Sequence, residues 1–506
     1  MRQNKRERLF RMQKEWFIDC YCGQFVAAYL EDGQLIEFSS EKEGVLELVG
    51  NIYKGKVSNV LTGMQAAFVS CGLQKNAYLS TLDGYADYSK YDSAGGTPKS
   101  VDLKEGEEVL VQLVKPQRGN KGARVSTQLS FVGRNLIYLP NSEFYGISRK
   151  ITDEETKEKL LTQVKSLVSE GEGFIIRTLA TKASKEQLLA EYLFLKDKYL
   201  VALEKAKTAA QGVAVHTEDR LPARVIRDYT DESMTIHLGS KWLYDELVEL
   251  AKRTKGLKKE QLRLYSGGRS MMSEYGISTQ IYEAANPTVP LKNGGYLVID
   301  HTEAMTVVDV NSGSYVGSTS LEETALAVNL AATEEIARQV RLCNVGGIIA
   351  VDFIDMQCEE HKQQVTDALK SALLGDRTKC NVLDMNELCI THFTRKRVGS
   401  EALEVLVKPC KNCRGNGHVH TDVFTMAKIR DQLLQLFPAH AVLTVHLHED
   451  LLEKVLEEQV FKREKTGVWK EKRLYFVPHK TYQEENFLIV EDMPKAEDKA
   501  KAIEYK

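Results

Sequence analysis

Two aspartates and an asparagine form the pattern in this sequence that best suits metal chemistry. Asp309 and Asp352 each lie late in an apolar run, MTVVDV and GGIIAVDFIDM, and a helical stretch separates the two runs. A strand–helix–strand unit of this length normally makes its strands parallel, so both carboxylates should emerge at the same end of a sheet. Burying a carboxylate on a strand costs folding free energy unless the carboxylate is paired or binds a cation. The pair therefore indicates a Mg²⁺ site, completed by substrate phosphate and water.

Asn311 follows Asp309 at the next outward-facing position of the same strand. Its amide could hold either the phosphate or one of the carboxylates. The competing interpretation is that aspartates at strand ends only cap neighbouring loops, and the residue pattern alone does not decide between the two.

The cysteines suggest a second metal. Cys410 and Cys413 form a Cys-x-x-Cys knuckle followed by glycines, which is half of a tetrahedral zinc site. The chain has no second such knuckle, so the other ligands are either His418 and His420 or the same knuckle of a second subunit. A redox pair is disfavoured because the knuckle does not open a helix after a strand. The remaining seven cysteines are predicted to be reduced and mostly packed.

A third cluster suits nucleic-acid binding. Between Lys115 and Arg124 the chain carries four cations, including Arg118 and Lys121, and no acid. Such a run beside the aromatic residues Phe68, Tyr78 and Tyr53 is how OB-type barrels hold single strands. Aromatic residues on barrel strands are more often core, and each ring taken alone favours that interpretation. The segment GNIYKGK has P-loop spacing but is rejected as a nucleotide site, because Val57 replaces the required Ser or Thr and the segment reads as a strand.

The strands and helices that position these residues can be predicted from the periodicity of the hydrophobic residues. The EDGQ turn predicts a hairpin near the N-terminus, and four strand-like segments predict a small OB-type barrel over about residues 45 to 125. Helices are predicted at 153–170 and 184–210, with GFIIRTLA as a buried strand between them, and at SKWLYDELVELAKR. From Gly294 to Met356 the order is strand, strand, helix, strand.

Composition limits the classes of function. The 506 residues suffice for several domains, and 68 Lys and Arg against 71 Asp and Glu leave a net charge of -3. A globally basic nucleic-acid binder is thereby excluded, and phosphate contacts must come from local patches. No stretch reaches the roughly 18 apolar residues of a membrane helix, and the basic N-terminus lacks the apolar run of a signal peptide. We therefore expect a cytoplasmic protein without a membrane segment.

A series of motifs, in order along residues 15 to 420, resembles the ribonuclease E/G family: GNIYKGKV, GMQAAFVSCG, RGNKGAR, GFIIRT, GGYLVIDHTEAMTVVDVNSG, GGIIAVDFIDM, TRKR and CKNCRGNG. The resemblance implies an α+β multidomain fold. Its expected parts are an RNase H-like domain (1–44 and 213–279), an inserted OB-fold RNA-binding domain (45–125), a 5′-sensor domain (126–212), a deoxyribonuclease-I-like catalytic domain (280–400), a zinc link (401–420) and a small C-terminal domain (421–506).

The same resemblance implies roles for individual residues. Asp309 and Asp352 match magnesium ligands, and Asn311 matches a catalytic asparagine. The implied RNA-binding residues are Phe68, Tyr78, Lys115, Lys121 and Lys379. The implied pocket for a 5′-monophosphate consists of Arg177, Thr178, Gly133, Ile137 and Arg149. In the family the knuckles of two protomers share one Zn²⁺, which implies a homodimer; whether two dimers pair into a tetramer is left open. Two positions depart from the pattern: Cys343 stands where an arginine is common, and His392 where an acid is usual.

The expected activity is that of a magnesium-dependent endoribonuclease. It would cleave single-stranded, A/U-rich RNA, prefer 5′-monophosphorylated substrates, and leave 5′-phosphate and 3′-hydroxyl ends, in ribosomal RNA processing and messenger RNA decay. The alternative is a non-catalytic OB-fold RNA-binding protein. Such a protein would need the lysines and aromatic residues but not Asp309, Asn311 and Asp352 together.

Overall fold

The computed structural model describes residues 12–44, 49–80, 91–93, 102–117, 122–231, 233–254, 258–315, 320–397, 402–408, 410–413, 415, 417–483 and 485–506. The chain divides into two compact units, one up to residue 406 and one from residue 407 onward. Within the described ranges no helix is both long and apolar enough to cross a membrane.

The first unit contains both strands and helices. Its strands are β1 (Lys14–Tyr21), β2 (Gln24–Glu31), β3 (Gln34–Lys42), β4 (Ile52–Leu61), β5 (Ala66–Ser70), β6 (Ala77–Ser80), β7 (Tyr91–Ser93), β8 (Glu108–Lys115), β9 (Arg124–Ser126), β10 (Phe131–Val132), β11 (Leu136–Leu139), β12 (Tyr145–Ser148), β13 (Gly173–Ile176), β14 (Ala214–His216), β15 (Thr235–Leu238), β16 (Leu262–Leu264), β17 (Thr288–Pro290), β18 (Tyr296–His301), β19 (Met305–Asn311), β20 (Gly347–Asp352), β21 (Cys380–Val382) and β22 (Ile390–Arg395). Its helices are α1 (Glu154–Lys165), α2 (Lys185–Thr208), α3 (Leu221–Tyr229), α4 (Lys241–Thr254), α5 (Met271–Glu274), α6 (Ile277–Ala284), α7 (Leu321–Leu342), α8 (Glu359–Leu373) and α9 (Ala402–Leu406).

The first sheet joins two distant parts of the chain, in the order β16-β15-β1-β2-β3. Strands β1, β2 and β3 are antiparallel neighbours, and β15 lies parallel to β1. The predicted hairpin is confirmed between β2 and β3. Its turn residues Asp32 and Gly33 have φ of 48° and 82°, the positive angles that a tight type I′ hairpin turn requires.

The predicted barrel is confirmed as a closed five-stranded barrel. Strands follow the order β4-β5-β6-β9-β8, and pairing of β8 with β4 closes the ring. Strand β14 adds to β4 from outside the barrel segment. Small and branched side chains such as Val57, Ala67, Val69, Leu79 and Val111 fill the interior, as expected of a narrow barrel.

The segment after the barrel forms a third sheet, in the order β10-β11-β13-β12-β7, with α1 and α2. Helix α2 begins with a capping box. The Ser184 side chain accepts from the Gln187 amide, and the Gln187 side chain accepts from the Ser184 amide. Strand β13 is buried throughout, as the GFIIRTLA segment predicted. Arg177 follows directly at the end of this strand.

The fourth sheet carries the acidic residues, in the order β17-β18-β19-β20-β22-β21. One of its faces is buried, with Leu297, Val308, Val351 and Phe393 packed in a core with residues of α7 and α8. This core also includes Phe17 and other residues of the first sheet. On the opposite face of the fourth sheet, the described side chains of β19 and β20 are exposed or half-buried, and we call this the open face.

The second unit contains α10 (Asp422–Leu436), β23 (Val442–His448), α11 (Glu449–Glu457), α12 (Lys462–Thr466), β24 (Arg473–His479), β25 (Leu488–Val490) and β26 (Ile503–Glu504). Its sheet has the order β25-β23-β24-β26, with β23 and β24 parallel. Ile429, Leu433, Phe461, Trp469 and Phe476 belong to its separate hydrophobic core.

Candidate active site and binding surfaces

Asp309 and Asp352 lie side by side at the carboxyl ends of parallel strands. Strands β19 and β20 pair in parallel, and Asp309 is the register partner of Asp352. Along β19, Thr306, Val308 and Val310 are buried while Asp309 is exposed, because alternate side chains of a strand point to opposite faces. Both carboxylates therefore project from the open face of the sheet, as the strand–helix–strand pattern predicted.

Asn311 orients one of these carboxylates. Its Nδ2 donates a hydrogen bond of 2.7 Å to Oδ2 of Asp309. Of the two partners considered for this amide, the structure thus pairs it with a carboxylate. The bond fixes Asp309, and among the residues that the structure describes the other oxygen of that carboxylate accepts no hydrogen bond and is available to a ligand.

Asp355 is a third carboxylate near this site that sequence reasoning missed. Burial, followed by the charges of Asp309 and Asp355, raises the pKa of Asp352. Like-charged carboxylates of this kind become easier to ionise when a cation lies between them. The spacing Asp352-x-x-Asp355 at the end of an apolar strand was the available sequence signal.

Asp309 and Asp352 offer two carboxylates to a cation at this edge. Within the described part of the chain, neither these two with Asp355 nor any other three His, Cys, Asp or Glu side chains group closely enough to hold a metal ion by themselves. Mg²⁺ commonly takes only one or two carboxylates, and water and substrate phosphate supply the remaining oxygens. Asp309 and Asp352 can supply this limited set.

A row of aromatic and basic side chains crosses the surface of the barrel. Phe68 pairs with Tyr78, Tyr78 with Arg124, and Arg124 with Lys115, on the successive strands β5, β6, β9 and β8. The two rings are half-buried, with centroids 6.2 Å apart in an edge-on arrangement. Lys115 is exposed. The row combines stacking surfaces with cations, as single-strand-binding barrels do.

The structure corrects the interpretation that each of these aromatic rings, taken alone, belongs to the core. Phe68 and Tyr78 are not core residues, whereas Tyr53 is buried in the barrel interior and cannot stack on a ligand. Arg124 belongs to the row, and its position there follows from register, which the sequence does not reveal. Lys121 and Arg118 lie outside the described residues.

Arg177 and Gly133 are in direct contact at one end of the third sheet. Nη1 of Arg177 donates to the main-chain carbonyl of Gly133 and to Oδ1 of Asp228, the latter at 2.5 Å. A side chain at Gly133 would collide with Glu191, since a Cβ there would lie 2.2 Å from Oε1 of that residue. Asp228 is a partner that the sequence did not indicate, because it comes from α3, well outside the segment.

The other implied pocket residues surround the same strand end. Thr178 is exposed, and its hydroxyl lies 2.9 Å from that of Ser148, the residue before Arg149. Ile137 is half-buried and pairs with Ile175 across β11 and β13.

Lys379 is exposed immediately before the edge strand β21 of the fourth sheet. Lys150, next to Arg149, donates a 3.4 Å hydrogen bond to the main-chain carbonyl of Arg377, two residues before Lys379. This contact joins the third sheet's segment to the loop that carries Lys379.

The cysteine knuckle brings two thiols close together. Cys410 is exposed, and hydrogen bonds from the backbone amides of Cys413 and Asn412 and from the Cys413 thiol lower the pKa of the Cys410 thiol. Backbone amides directed at a sulfur favour its thiolate form, which is the form that binds metal. Nδ1 of His420 lies 3.4 Å from Oε2 of Glu485, and His418 is exposed.

The basic run at residues 394–397 is partly structural. Arg395 is buried, and its Nε donates to Oδ2 of buried Asp376 at 2.7 Å. Nε of Arg397 donates to the carbonyl of Gly346. At the two departures from the family pattern, Cys343 is buried in the core, whereas His392 lies on the exposed face of β22, opposite Ala350 of β20.

The fold and the site define a multidomain α+β protein that joins an OB-type barrel to a mixed sheet with an acidic pair on its open face. The chain belongs to the ribonuclease E/G family: residues 130–398 match the family model described as Ribonuclease E/G family. It is 37% identical to Ribonuclease G of Haemophilus influenzae over 81% of this chain and 85% of that protein. It is 35% identical to Ribonuclease G of Escherichia coli K12, over 85% and 89% of the two chains. Ribonuclease E of H. influenzae is 34% identical over 77% of this chain but only 42% of its own length.

Proposed function

We propose that this protein is a magnesium-dependent endoribonuclease that cleaves single-stranded, A/U-rich RNA in RNA processing and decay. The observation that carries the proposal is the register pairing of Asp309 with Asp352 on an open sheet face, in a chain of the ribonuclease E/G family. A protein that only binds RNA has no use for two like charges placed side by side, since their repulsion costs stability.

The acidic pair and Asn311 have separate tasks in this proposal. Asp309 and Asp352 would hold Mg²⁺, and Asn311 would keep Asp309 in one orientation through its 2.7 Å hydrogen bond. A bound Mg²⁺ supplies activation of water and offsets charge on the scissile phosphate. Hydrolysis with loss of the 3′ oxygen as leaving group gives a 5′-phosphate and a 3′-hydroxyl, and it needs no histidine or cysteine nucleophile.

The barrel row would hold the RNA strand. Phe68 and Tyr78 offer faces on which bases of any sequence can stack, and Lys115 and Arg124 neutralise backbone phosphates. Lys121 and Lys379 would add to these phosphate contacts. Base pairing hides the faces that the rings need, so the row favours single-stranded over double-stranded RNA.

The pocket at the end of β13 would recognise the 5′ end of the RNA. Arg177 offers a planar fork of donors for phosphate oxygens, and Thr178 offers a hydroxyl beside it. Gly133, Ile137 and Arg149 would complete the pocket. A terminal monophosphate carries more charge than an internal phosphodiester, so a cationic pocket can distinguish an end from a linkage.

A direct test is to incubate single-stranded A/U-rich oligonucleotides, with either a 5′-monophosphate or a 5′-hydroxyl, in Mg²⁺ or in EDTA. We expect internal cleavage only with Mg²⁺, faster on the phosphorylated substrate, and 5′-phosphate and 3′-hydroxyl products by mass spectrometry. A duplex of the same sequence is the control and should resist cleavage. Binding of both oligonucleotides without cleavage in any divalent metal would instead support a non-catalytic RNA-binding protein.

The knuckle at Cys410 and Cys413 would bind Zn²⁺ jointly with the knuckle of a second subunit, making a homodimer that can pair into a tetramer. We expect metal analysis of the purified protein to find one zinc per two chains, and Cys410→Ala with Cys413→Ala to lose zinc and weaken self-association. Light scattering would measure the mass. Cys358→Ala is a matched control because this cysteine lies far outside the knuckle in sequence. One zinc per chain would point to a local site with His418 and His420 and contradict sharing.

A further inference from the structure

The guanidinium of Arg177 is held by one of its nitrogens only. Nη1 donates both to the carbonyl of Gly133 and to Oδ1 of Asp228. In the part of the chain that the structure describes, Nε and Nη2 of Arg177 make no hydrogen bond, and the side chain is 21% exposed. The edge formed by Nε and Nη2 is therefore free for a bidentate contact with a phosphate group.

Asp228 is the charged partner that fixes this arrangement. Its carboxylate accepts a hydrogen bond from Nη1 of Arg177. It also accepts hydrogen bonds from Nε and Nη2 of Arg227, at 3.1 and 3.0 Å. Burial acts to raise the pKa of Asp228, but the charges of Arg177 and Arg227 outweigh it and hold this pKa below its usual value. Asp228 is thus ionised, and only 14% of its side chain is exposed.

Asp228 itself is anchored through a larger network. Nη1 of Arg227 also donates to Oε1 of Glu218 at 2.5 Å and to Oδ2 of Asp219 at 2.9 Å. Helix α3 packs through Leu221, Val225 and Ile226, so the carboxylate is carried by a rigid element rather than by a loop. An arginine tied to such an anchor loses less rotamer freedom when it binds a ligand than a free one would.

We propose that Asp228 is a positioning residue for recognition of the RNA 5′ end. It restrains the guanidinium of Arg177 at Nη1, so that the Nε–Nη2 edge is presented to the terminal phosphate before RNA arrives. This inference rests on the proposed 5′-end recognition by Arg177. Asp228 does not contact the phosphate; it acts through Arg177.

The decisive measurement is the ratio of kcat/KM on 5′-monophosphorylated RNA to kcat/KM on 5′-hydroxyl RNA. We expect Asp228→Ala to lower this ratio about 10-fold, the lower end of the effect of removing a residue that orients a binding group. Asp228→Asn keeps the shape and one acceptor oxygen, so we expect a smaller decrease in the same direction. Thermal unfolding of each variant establishes that it is folded. If Asp228→Ala does not fold, the ratio measured for Asp228→Asn decides whether Asp228 positions Arg177.

Glu172→Gln is the matched control. Glu172 is 15% exposed, close to the 14% of Asp228, accepts from the Tyr192 hydroxyl at 2.6 Å and pairs with Lys196 at 2.8 Å, but among the described residues it makes no contact with Arg177 or Arg227. We expect its ratio to equal that of the unmodified protein. A purely structural role for Asp228 would lower both rates equally and leave the ratio unchanged, which would overturn the proposal.

Arg177→Ala separates failure of this inference from failure of the proposed function. If Arg177→Ala leaves the ratio unchanged, 5′-end recognition at this pocket is wrong. If Arg177→Ala abolishes the preference and both Asp228 variants retain it, recognition stands and the positioning role of Asp228 is wrong.

Discussion

Asp309→Asn and Asp352→Asn are each expected to lower RNA cleavage by at least about 10²–10³-fold, the range seen when a group that stabilises developing charge is removed. An amide is nearly the same size as a carboxylate but carries no charge, so it holds Mg²⁺ weakly. Both side chains are on the open face of the sheet, so the loss should not come from unfolding. Cleavage would be measured under single-turnover conditions at saturating RNA.

RNA binding by these variants should persist, because the barrel row uses other residues. A gel-shift or fluorescence-anisotropy titration in EDTA would measure it. Asp384→Asn is a suitable control, since Asp384 is an exposed carboxylate paired with Lys370 at 2.8 Å. Full activity of both Asp309→Asn and Asp352→Asn would eliminate the acidic pair as the metal site.

Arg177→Ala is expected to lower kcat/KM on 5′-monophosphorylated RNA by about 10- to 150-fold. This range corresponds to the loss of a charge-assisted contact contributing about 1.5 to 3 kcal/mol. On 5′-hydroxyl RNA the contact does not exist, so the variant should change that rate far less. Parallel measurement of both substrates is therefore the test.

Arg338→Ala is a matched control for the loss of a partly buried, paired arginine. Arg338 is 18% exposed and pairs with Glu335, while Arg177 is 21% exposed and pairs with Asp228. Any structural effect of removing Arg338 should act equally on both substrates. If Arg177→Ala also reduced both rates equally, Arg177 would have a structural or general RNA-binding role instead.

The acidic pair could be predicted from sequence because local rules determine it. An apolar strand, a long helix and a second apolar strand dictate parallel pairing, and the positions of Asp309 and Asp352 at the ends of the runs then bring them together. Asn311 follows from alternation along the same strand. Even here the sequence left open whether Asn311 binds phosphate or carboxylate, since that depends on a rotamer.

The members of the barrel row can be named as candidates from the sequence, but their alignment across four strands could not be predicted, and neither could the anchor of Arg177. Both depend on contacts between different segments of the chain. Arg124 joins Tyr78 and Lys115 only through the register of three strands. Tyr53 points to the inside of the barrel rather than to its surface, and this orientation depends on how the barrel closes. Asp228 of helix α3 contacts Arg177 at the end of β13, although the two residues are 51 positions apart in sequence. The sequence indicates candidate residues, but only the tertiary structure shows which distant residues are their partners.

The split construction of the first sheet has a consequence for the order of folding. Ile18 of β1 pairs with Leu238 of β15, so this edge of β1 stays unpaired until the chain between them has been synthesised. The five barrel strands and the added strand β14 all lie between these two residues, and the five barrel strands are near one another in sequence. We therefore expect the barrel to form first on the ribosome, since local contacts pay less loop-closure entropy. A nascent chain stalled before β15 would expose a bare strand edge and be prone to aggregate.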